Sequence, residues 1–233
     1  METERSSWKD PRVPHATTND TTGPMVKYSR GSPNWFFAFP VDGATVRDLP
    51  EPPRQIRVIH PEDAHLTLAF LGTCGEAAAL RALSILDEAL HRSPWPVMDI
   101  SFGEVVPMGP RPRYSALCAL LDRGREEATR CLVALGDELV EAACGRREPR
   151  PPKPHVTIAR PMGGASDTDR AAGLAWAAKV ALGGHDGTLD RIALYTWSEE
   201  RRDRLFRIVA ERPLGSAVVA GLEPRGWSLP FLV

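Results

Sequence analysis

Short segments of the chain alternate apolar and polar residues, and longer segments repeat apolar residues every three or four positions. The first pattern predicts β-strands and the second predicts amphipathic α-helices. Strands are predicted over 34–41, 65–72, 98–108, 113–122, 153–161, 189–198 and 205–214. Helices are predicted over 75–93, 125–144 and 167–182.

The order of these elements predicts the fold class. Helices and strands are interleaved, but most neighbouring strands are joined by short turns rather than by helical crossovers. Such connections favour antiparallel sheets, so we predict an α+β fold rather than a doubly wound parallel sheet. The two halves of the chain also repeat a similar order of elements. We therefore predict a bilobal protein, in which two lobes related by an approximate twofold axis flank a central cleft.

Composition along the chain predicts the domain boundaries. Residues 1–33 are rich in Thr, Ser, Pro and charge without an apolar period, which predicts a flexible N-terminal extension. Residues 34–214 carry the predicted strands and helices and form the expected two-lobed domain. Residues 215–233 are expected to form a C-terminal tail.

Overall composition and charge disfavour several classes of protein. Hydrophobic residues make up 42% of the 233 residues, which is typical of a folded globular protein. The formal net charge of −1 does not favour binding along a DNA groove, but it is compatible with small phosphorylated ligands or RNA ends. No run of about 18 apolar residues occurs, so we expect a soluble cytoplasmic protein without a membrane segment. The four cysteines lack close spacing, which predicts reduced core thiols rather than a zinc site.

The pattern His-apolar-Thr-apolar occurs twice, as HLTL from residue 65 and as HVTI from residue 155. Residues two apart on a strand point to the same face of the sheet. His65 and Thr67 are therefore expected to project together from one strand, and His155 and Thr157 from another. If a twofold axis relates the two halves, these four side chains converge on one small volume.

Two imidazoles and two hydroxyls suit acid–base chemistry at a phosphate. Histidine exchanges a proton near neutral pH, so one ring can accept a proton from water while the other protonates a leaving oxygen. Threonine hydroxyls can donate hydrogen bonds to the non-bridging oxygens of the phosphate. This chemistry needs no metal, and we expect no cofactor.

The motifs resemble those of the two-histidine (2H) phosphoesterases, in particular the RNA 2′,3′-cyclic phosphodiesterases of the 2′-5′ RNA ligase family. The resemblance is carried by HLTLAFLG at 65–72, HVTIAR at 155–160, an early WFFAF and a late ALYTW, and it spans roughly residues 34–214. It implies a bilobal α+β fold with the site between the lobes. It also implies metal-independent opening of a 2′,3′-cyclic phosphate at an RNA 3′ end, which leaves a 2′-phosphate.

The resemblance implies roles for particular residues of this chain. His65 matches the position of the acid that protonates the leaving 3′ oxygen, and His155 matches that of the base that activates water. Thr67, Thr157 and Arg160 match phosphate-binding positions.

Three positions qualify the resemblance. Arg160 lies five residues after His155, so strand alternation places it on the opposite face unless the strand bends beyond Ile158. Trp197 occupies a position at which the family usually has serine, and Phe206 one at which it usually has tyrosine. These departures bear on substrate choice more than on the chemistry.

Further candidate RNA contacts lie outside the two motifs. Phe37 shares a strand face with Phe39 and is a candidate to stack on a terminal base, with core packing as the alternative. Arg150 and Lys153 belong to the basic, proline-rich connector 145–154 that leads into the second motif. They are candidate RNA contacts at the mouth of the cleft, with a solvated loop as the alternative.

The sequence leaves alternative functions open. A related phosphodiesterase acting on 2′-5′ oligonucleotides or small cyclic nucleotides would use the same four residues. A non-catalytic protein that binds RNA ends is a further alternative, although binding alone does not need an acid and a base. The expected partner is RNA or an oligonucleotide with a 2′,3′-cyclic phosphate end, and we expect a monomer without an obligate protein partner.

Overall fold

The computed structural model describes residues 32–145, 151–183, 185–201 and 203–215. Its strands are β1 (Trp35–Pro40), β2 (Ile56–Val58), β3 (His65–Gly72), β4 (Met98–Met108), β5 (Ala116–Leu121), β6 (His155–Pro161), β7 (Asp186–Leu189), β8 (Arg191–Trp197) and β9 (Phe206–Pro213). Its α-helices are α1 (Ala44–Arg47), α2 (Glu76–Arg92), α3 (Arg125–Cys144) and α4 (Asp167–Ala177). Short 3-10 helices cover Pro61–Asp63 and Arg111–Arg113.

The strands pair in the order β7-β4-β5-β6-β3-β1-β8-β9, and β2 also pairs with β6. Each pairing within the described part of the chain is antiparallel. The α+β class with an antiparallel sheet is therefore confirmed. The two motif strands, β3 and β6, are neighbours, and three strands follow beyond each of them. The two-lobed arrangement and the domain boundaries stay predictions.

Helices α2 and α3 pack on each other and on the sheet to form the main core. Phe37, Leu66 and Ile158, from three central strands, are fully buried in it. Burial of each such side chain contributes about 1.5–3 kcal/mol to folding. The alternate residues of β1, represented by Phe36, pack in a second and smaller cluster with Tyr195. Because β1 is buried on both faces, it supplies aromatic side chains to the core and to the opposite side of the sheet.

Several elements differ from the sequence-based predictions. Helix α4 ends at Ala177 rather than at residue 182, although Val180 and Leu182 continue the apolar period and are buried in the turn that follows. Helix α1 lies in a segment expected to be a loop. Strand β7 was not predicted because its sequence, DGTL, lacks apolar alternation, and its strand geometry comes from pairing with β4.

The four cysteines are free, as predicted: Cys118 and Cys131 are buried, and Cys74 and Cys144 are half-buried. In the part of the chain that the structure describes, no group of three or more His, Cys, Asp or Glu residues is arranged to hold a metal ion. Among these same residues, no helix is both long and apolar enough to cross a membrane. Almost all of the expected N-terminal extension and C-terminal tail lies outside the described residues.

Candidate active site

The two His-x-Thr motifs lie side by side in the sheet. β3 and β6 pair antiparallel, with Leu66 directly opposite Val156. This register puts the histidine of each motif opposite the threonine of the other. Leu66 and Val156 are fully buried, whereas the four polar side chains are half-buried on the other face. From the sequence, the motifs were predicted to face each other across a cleft, but they lie on neighbouring strands of one sheet.

A β-bulge on β6 brings a cation to this face. Along β5, two successive residues pair with Ala159 and Thr157, so Ile158 is an extra residue on β6. Ile158 and Ala159 are both fully buried, which breaks the alternation of the strand. The strand therefore re-aims Arg160, which is exposed and lines a cavity together with His65. The bend beyond Ile158 that would bring Arg160 to the face of the motifs is therefore present, as this bulge.

The first motif strand contains the equivalent bulge. Two successive residues of β1 pair with Ala69 and Thr67, so Leu68 is the extra residue on β3. Leu68 and Ala69 are both buried. The residue five positions after His65, Phe70, consequently turns outward with 50% of its surface exposed. The two strands thus present equivalent positions to the site, with an aromatic ring on one and a guanidinium on the other.

Both imidazoles are oriented by the same kind of backbone contact. Nδ1 of His65 lies 2.6 Å from the carbonyl oxygen of Asp63, and Nδ1 of His155 lies 2.6 Å from that of Lys153. A carbonyl oxygen only accepts hydrogen bonds, so Nδ1 carries a proton and donates it in both rings. Nε2 of each ring is therefore the atom left to gain or lose a proton at a substrate.

The surroundings of both rings favour the neutral imidazole in the free protein. Burial lowers the pKa of His65 to about 4 with smaller contributions from Arg160 and His155, against the opposing effect of the hydrogen bond to Asp63. Burial also lowers the pKa of His155, again with help from Lys153 and Arg160. The cause is that a charged ring is poorly solvated at these positions. A bound phosphate would raise both pKa values because it supplies a nearby negative charge.

The turn before the first motif is tied to the loop between β8 and β9. The buried carboxylate of Asp63 accepts hydrogen bonds from the backbone N–H groups of Leu205 (2.8 Å) and Phe206 (3.1 Å). In the same loop, Arg204 forms an ion pair of 2.7 Å with Glu62. The residue whose carbonyl group orients the first imidazole therefore also holds the loop on one side of the site.

Two cavities meet at the motifs, and Thr67 and Phe70 line both of them. The larger cavity, of about 520 Å³, contains His155 and has mostly apolar walls that include Met108, Leu132, Val133, Val140, Pro151 and Pro152. The smaller cavity, of about 330 Å³, contains His65 and has aromatic and cationic walls that include Phe36, Arg160, Trp197, Arg201 and Phe206. Both volumes are in the range of binding sites for small ligands.

Aromatic rings surround the imidazole of His65. The ring centres of Phe36, Tyr195 and Phe206 lie 4.9, 5.5 and 5.6 Å from it. The prediction that Phe37 contacts RNA is wrong, because this side chain has no exposed surface and packs in the main core. Strand alternation explains the error, since the neighbouring residue, Phe36, is the one on the face of the site.

Of the two predicted RNA contacts in the basic connector, the structure describes only Lys153. Lys153 lines the larger cavity next to His155. Arg150, together with residues 146–149 of the basic connector, lies outside the described residues. The structure adds a contact that the sequence did not indicate: the thiol of Cys118 on β5 lies 3.5 Å from the hydroxyl oxygen of Thr157.

Several side chains of the site were not identified from the sequence. Phe70 could have been predicted, since it lies five residues after the first histidine, as Arg160 lies five residues after the second. Asp63 gave none, because its partners are more than 140 residues away in the chain. Trp197 was noted only as a departure from the family, and Arg201 lies between the predicted strands 189–198 and 205–214, where no site residue was predicted.

Comparisons with known proteins support the fold. No protein-family model and no curated protein matches the chain. Among solved structures, Escherichia coli LigT complexed with 3′-AMP aligns with a TM-score of 0.60 and 18% identity, covering 78% of this chain and 98% of LigT. A structure described as a phosphoesterase aligns with a TM-score of 0.59, 20% identity and coverage of 78% and 98%. The protein TT0787 of Thermus thermophilus aligns with a TM-score of 0.56, 20% identity and coverage of 78% and 97%.

These alignments cover nearly the whole of each solved structure, and they include most of the described part of this chain. At 18–20% identity they establish the fold, while the sequence motifs carry the resemblance in chemistry. The chain therefore has the fold of LigT and of the solved phosphoesterase, which is the fold expected from its resemblance to the two-histidine phosphoesterases.

Proposed function

We propose that this protein is a metal-independent phosphodiesterase that hydrolyses 2′,3′-cyclic phosphate ends of RNA or oligonucleotides to 2′-phosphates. The observation that carries the proposal is the pairing of Leu66 with Val156, which brings two histidines and two threonines to one face of the sheet. The free Nε2 atoms of both imidazoles add support, because each can exchange a proton with a substrate.

The proposed reaction is a displacement at phosphorus. The oxygen of a water molecule bonds to phosphorus and gives a proton to Nε2 of the basic histidine. The bond from phosphorus to the 3′ oxygen breaks, and this oxygen takes a proton from Nε2 of the acidic histidine. The phosphate stays on the 2′ oxygen, and each proton transfer contributes about 10²–10⁴-fold to the rate.

Three further side chains would hold the phosphate during this reaction. Thr67 and Thr157 donate hydrogen bonds from their hydroxyl groups to the non-bridging oxygens. Arg160, which the bulge places at the cavity of His65, adds a charge-assisted hydrogen bond. Such donors accelerate the reaction when they bind the charge that develops in the transition state more strongly than the ground state.

The resemblance assigns His65 as the acid and His155 as the base, and we adopt this assignment. For His65 to act as the acid, its ring must be protonated in the complex. The substrate phosphate must therefore raise the pKa of His65 from about 4. The test is a nucleoside phosphodiester with a p-nitrophenol leaving group, which needs no protonation. The His65→Ala variant should recover most of its lost activity on this ester, whereas His155→Ala should not. Recovery by His155→Ala alone would reverse the two roles.

A second candidate, a phosphodiesterase for 2′-5′ oligonucleotides, is favoured by the two cavities. Thr67 lines both cavities, so one nucleoside could be bound in each, with the reacting phosphorus between them. A cyclic phosphate carries a nucleoside on one side only. LigT has been crystallised with 3′-AMP and with phosphate, which supports nucleotide chemistry in this fold without deciding between the two substrates.

The test of the proposed function is a turnover panel in the presence of a metal chelator. It compares adenosine 2′,3′-cyclic phosphate, an RNA with a 2′,3′-cyclic end and 2′-5′ oligoadenylate. We expect hydrolysis of the two cyclic phosphates with chelator present and a 2′-phosphate as the product. Loss of activity with chelator would contradict the metal-independent mechanism, and turnover of oligoadenylate alone would establish the second candidate. A cytoplasmic location and a monomeric state remain part of the proposal.

A further inference from the structure

A stacked pair of side chains forms one wall of the smaller cavity. The guanidinium carbon of Arg201 lies 3.8 Å from the ring centre of Trp197, and both residues line this cavity together with His65. Stacking on the indole face stabilises the guanidinium through a cation–π interaction. A guanidinium held in this way keeps the N–H groups on its edge for hydrogen bonds to an anion.

The loop that carries Arg201 is anchored to the site. Asp63 accepts hydrogen bonds from the backbone of Leu205 and Phe206, and Arg204 pairs with Glu62. These contacts join the loop to the turn that immediately precedes the first histidine. The position of Arg201 relative to the reacting phosphate is therefore set by hydrogen bonds at the base of its loop.

The charges around the smaller cavity do not balance. The described residues that line it include the guanidinium groups of Arg160 and Arg201 but no carboxylate. Within the described ranges, the ion pairs observed for other arginines do not involve either of these two. A cyclic phosphodiester carries a single negative charge, which Arg160 is placed to bind because it lines the same cavity as His65 and Thr67. Among the described residues, no carboxylate forms an ion pair with the second cation, Arg201, and the single charge of the reacting phosphate is already matched by Arg160.

We infer that Arg201, stacked on Trp197, forms a second anion-binding subsite for the 5′-phosphate of the nucleotide that carries the cyclic end. The inference rests on the proposed function and deepens it. A 2′,3′-cyclic phosphate occupies both the 2′ and the 3′ oxygens of the ribose, so the 5′ oxygen is the one left to carry a second phosphate. The preferred substrate is thus an end with a phosphate on its 5′ side, as in an RNA chain, rather than a cyclic nucleoside phosphate alone.

The test compares adenosine 2′,3′-cyclic phosphate with the same compound carrying a 5′-phosphate. A charge-assisted hydrogen bond to the second phosphate predicts about a tenfold higher kcat/KM for the 5′-phosphorylated compound. In Arg201→Gln this preference should fall below about twofold. Trp197→Leu should reduce it to an intermediate value, because the guanidinium is kept but its support is lost. Arg207→Gln, which removes an exposed arginine of β9 outside both cavities, is the matched control and should keep the full preference.

Several outcomes would overturn the inference. One is the absence of a preference in the wild-type protein. Another is an equal loss on both substrates in Arg201→Gln, which would assign Arg201 to the reacting phosphate. The preference should also shrink as salt is raised, since it comes from a partly exposed charge.

Failure of the proposed function can be separated from failure of this subsite. If neither cyclic compound is hydrolysed, the proposed function is wrong, and binding of adenosine 2′-phosphate and adenosine 2′,5′-bisphosphate still tests the subsite by calorimetry. About tenfold tighter binding of the bisphosphate, lost in Arg201→Gln, would support the subsite. Equal affinities for the two compounds would exclude it.

Discussion

Leu66 on β3 lies directly opposite Val156 on β6, and this pair determines how the two motifs meet. A slip of either strand by one residue would turn its histidine and threonine to the other face of the sheet. Both residues of the pair are fully buried in the core. Hydrophobic burial therefore stabilises the register on which the proposed chemistry depends.

The two threonines can be tested by substitutions that keep their shape. Thr67→Val and Thr157→Val remove a hydroxyl that would donate to a phosphate oxygen. Loss of a hydrogen bond to a charged group is worth about 1.5–3 kcal/mol, so we expect kcat/KM to fall roughly 10- to 150-fold in each variant. The assay is hydrolysis of adenosine 2′,3′-cyclic phosphate.

Thr188→Val is the control for these variants, because Thr188 is an exposed strand residue on β7 outside both cavities. Its kcat/KM should match the wild-type value. Wild-type activity in both motif variants would show that the two hydroxyls do not bind the phosphate. The melting temperature of each variant should be recorded, so that a loss of folding is not taken for a loss of binding.

The pH dependence of kcat/KM follows from the lowered pKa values of both histidines in the free protein. Catalysis needs one protonated and one neutral ring, so the rate is bell-shaped between the macroscopic pKa values of the pair. Because both rings titrate below the ordinary value of 6.5, the maximum of kcat/KM should lie below pH 6.5. The maximum of kcat should lie at higher pH, since bound phosphate raises both pKa values. A kcat/KM maximum above about pH 7 would disagree with these shifts.

His65 also makes the stability of the protein depend on pH. Its pKa falls from 6.5 to about 4 on folding, so between these values the unfolded chain binds a proton that the folded protein does not. Stability should therefore decrease as the pH is lowered from 6.5 towards 4, and His65 should have no such effect above this range. At about 1.4 kcal/mol per pH unit, the contribution of His65 is at most about 3 to 4 kcal/mol.

Urea denaturation at several pH values measures this contribution. In His65→Gln the free energy of unfolding should depend less on pH between 4 and 6.5 than in the wild-type protein. His91→Gln, a change at an exposed position of α2, should give a curve parallel to that of the wild type. Parallel curves for His65→Gln and the wild type would show that the environment of His65 does not disfavour its charge.

Asp63→Asn tests the anchor between the first motif and the loop after β8. The carboxylate of Asp63 accepts one backbone hydrogen bond on each of its two oxygens. The amide of asparagine has only one oxygen, so one of the two N–H groups would face an NH₂ group and lose its acceptor. We expect the free energy of unfolding to fall by about 1–3 kcal/mol and kcat/KM to fall with it. The pH profile of kcat/KM should keep its shape. The carbonyl group that orients His65 belongs to the backbone, so the substitution does not remove it.

Glu62→Gln is the matched control for the anchor. Its side chain is 62% exposed and pairs with Arg204 at the surface, where an ion pair is worth about 0–1 kcal/mol. Its effect on stability should therefore be smaller than that of Asp63→Asn. Equal effects of the two substitutions would mean that the buried carboxylate does not hold the loop.

The sequence predicted the parts of the fold and site that depend on local pattern. Helix α3 begins and ends at the predicted residues because it has a regular apolar period between two glycines, Gly124 and Gly145, and the bounds of β4 also match the prediction. The motif histidines were found because His-x-Thr recurs in two apolar strands. Phe37 was assigned to RNA contact wrongly because alternation alone does not say which face of a doubly buried strand meets the site.

Contacts between distant segments were beyond the reach of the sequence. The bulges at Leu68 and Ile158 are visible only from the register of the neighbouring strands. Asp63 meets the loop after β8 only in the folded chain, and the stacking of Arg201 on Trp197 depends on the path of that loop. These features depend on tertiary packing, which a local pattern of apolar and polar residues does not encode.

The central claim, that both histidines act on one phosphorus, is tested most directly by the rates of His65→Ala, His155→Ala and the double variant. With adenosine 2′,3′-cyclic phosphate and a chelator, each single variant should lose at least about 10²-fold in kcat. The double variant should be far less impaired than the product of the two losses, because the residues act as a unit in one step. His91→Ala should be unchanged. A wild-type rate in either single variant, or losses that simply multiply in the double variant, would contradict the claim.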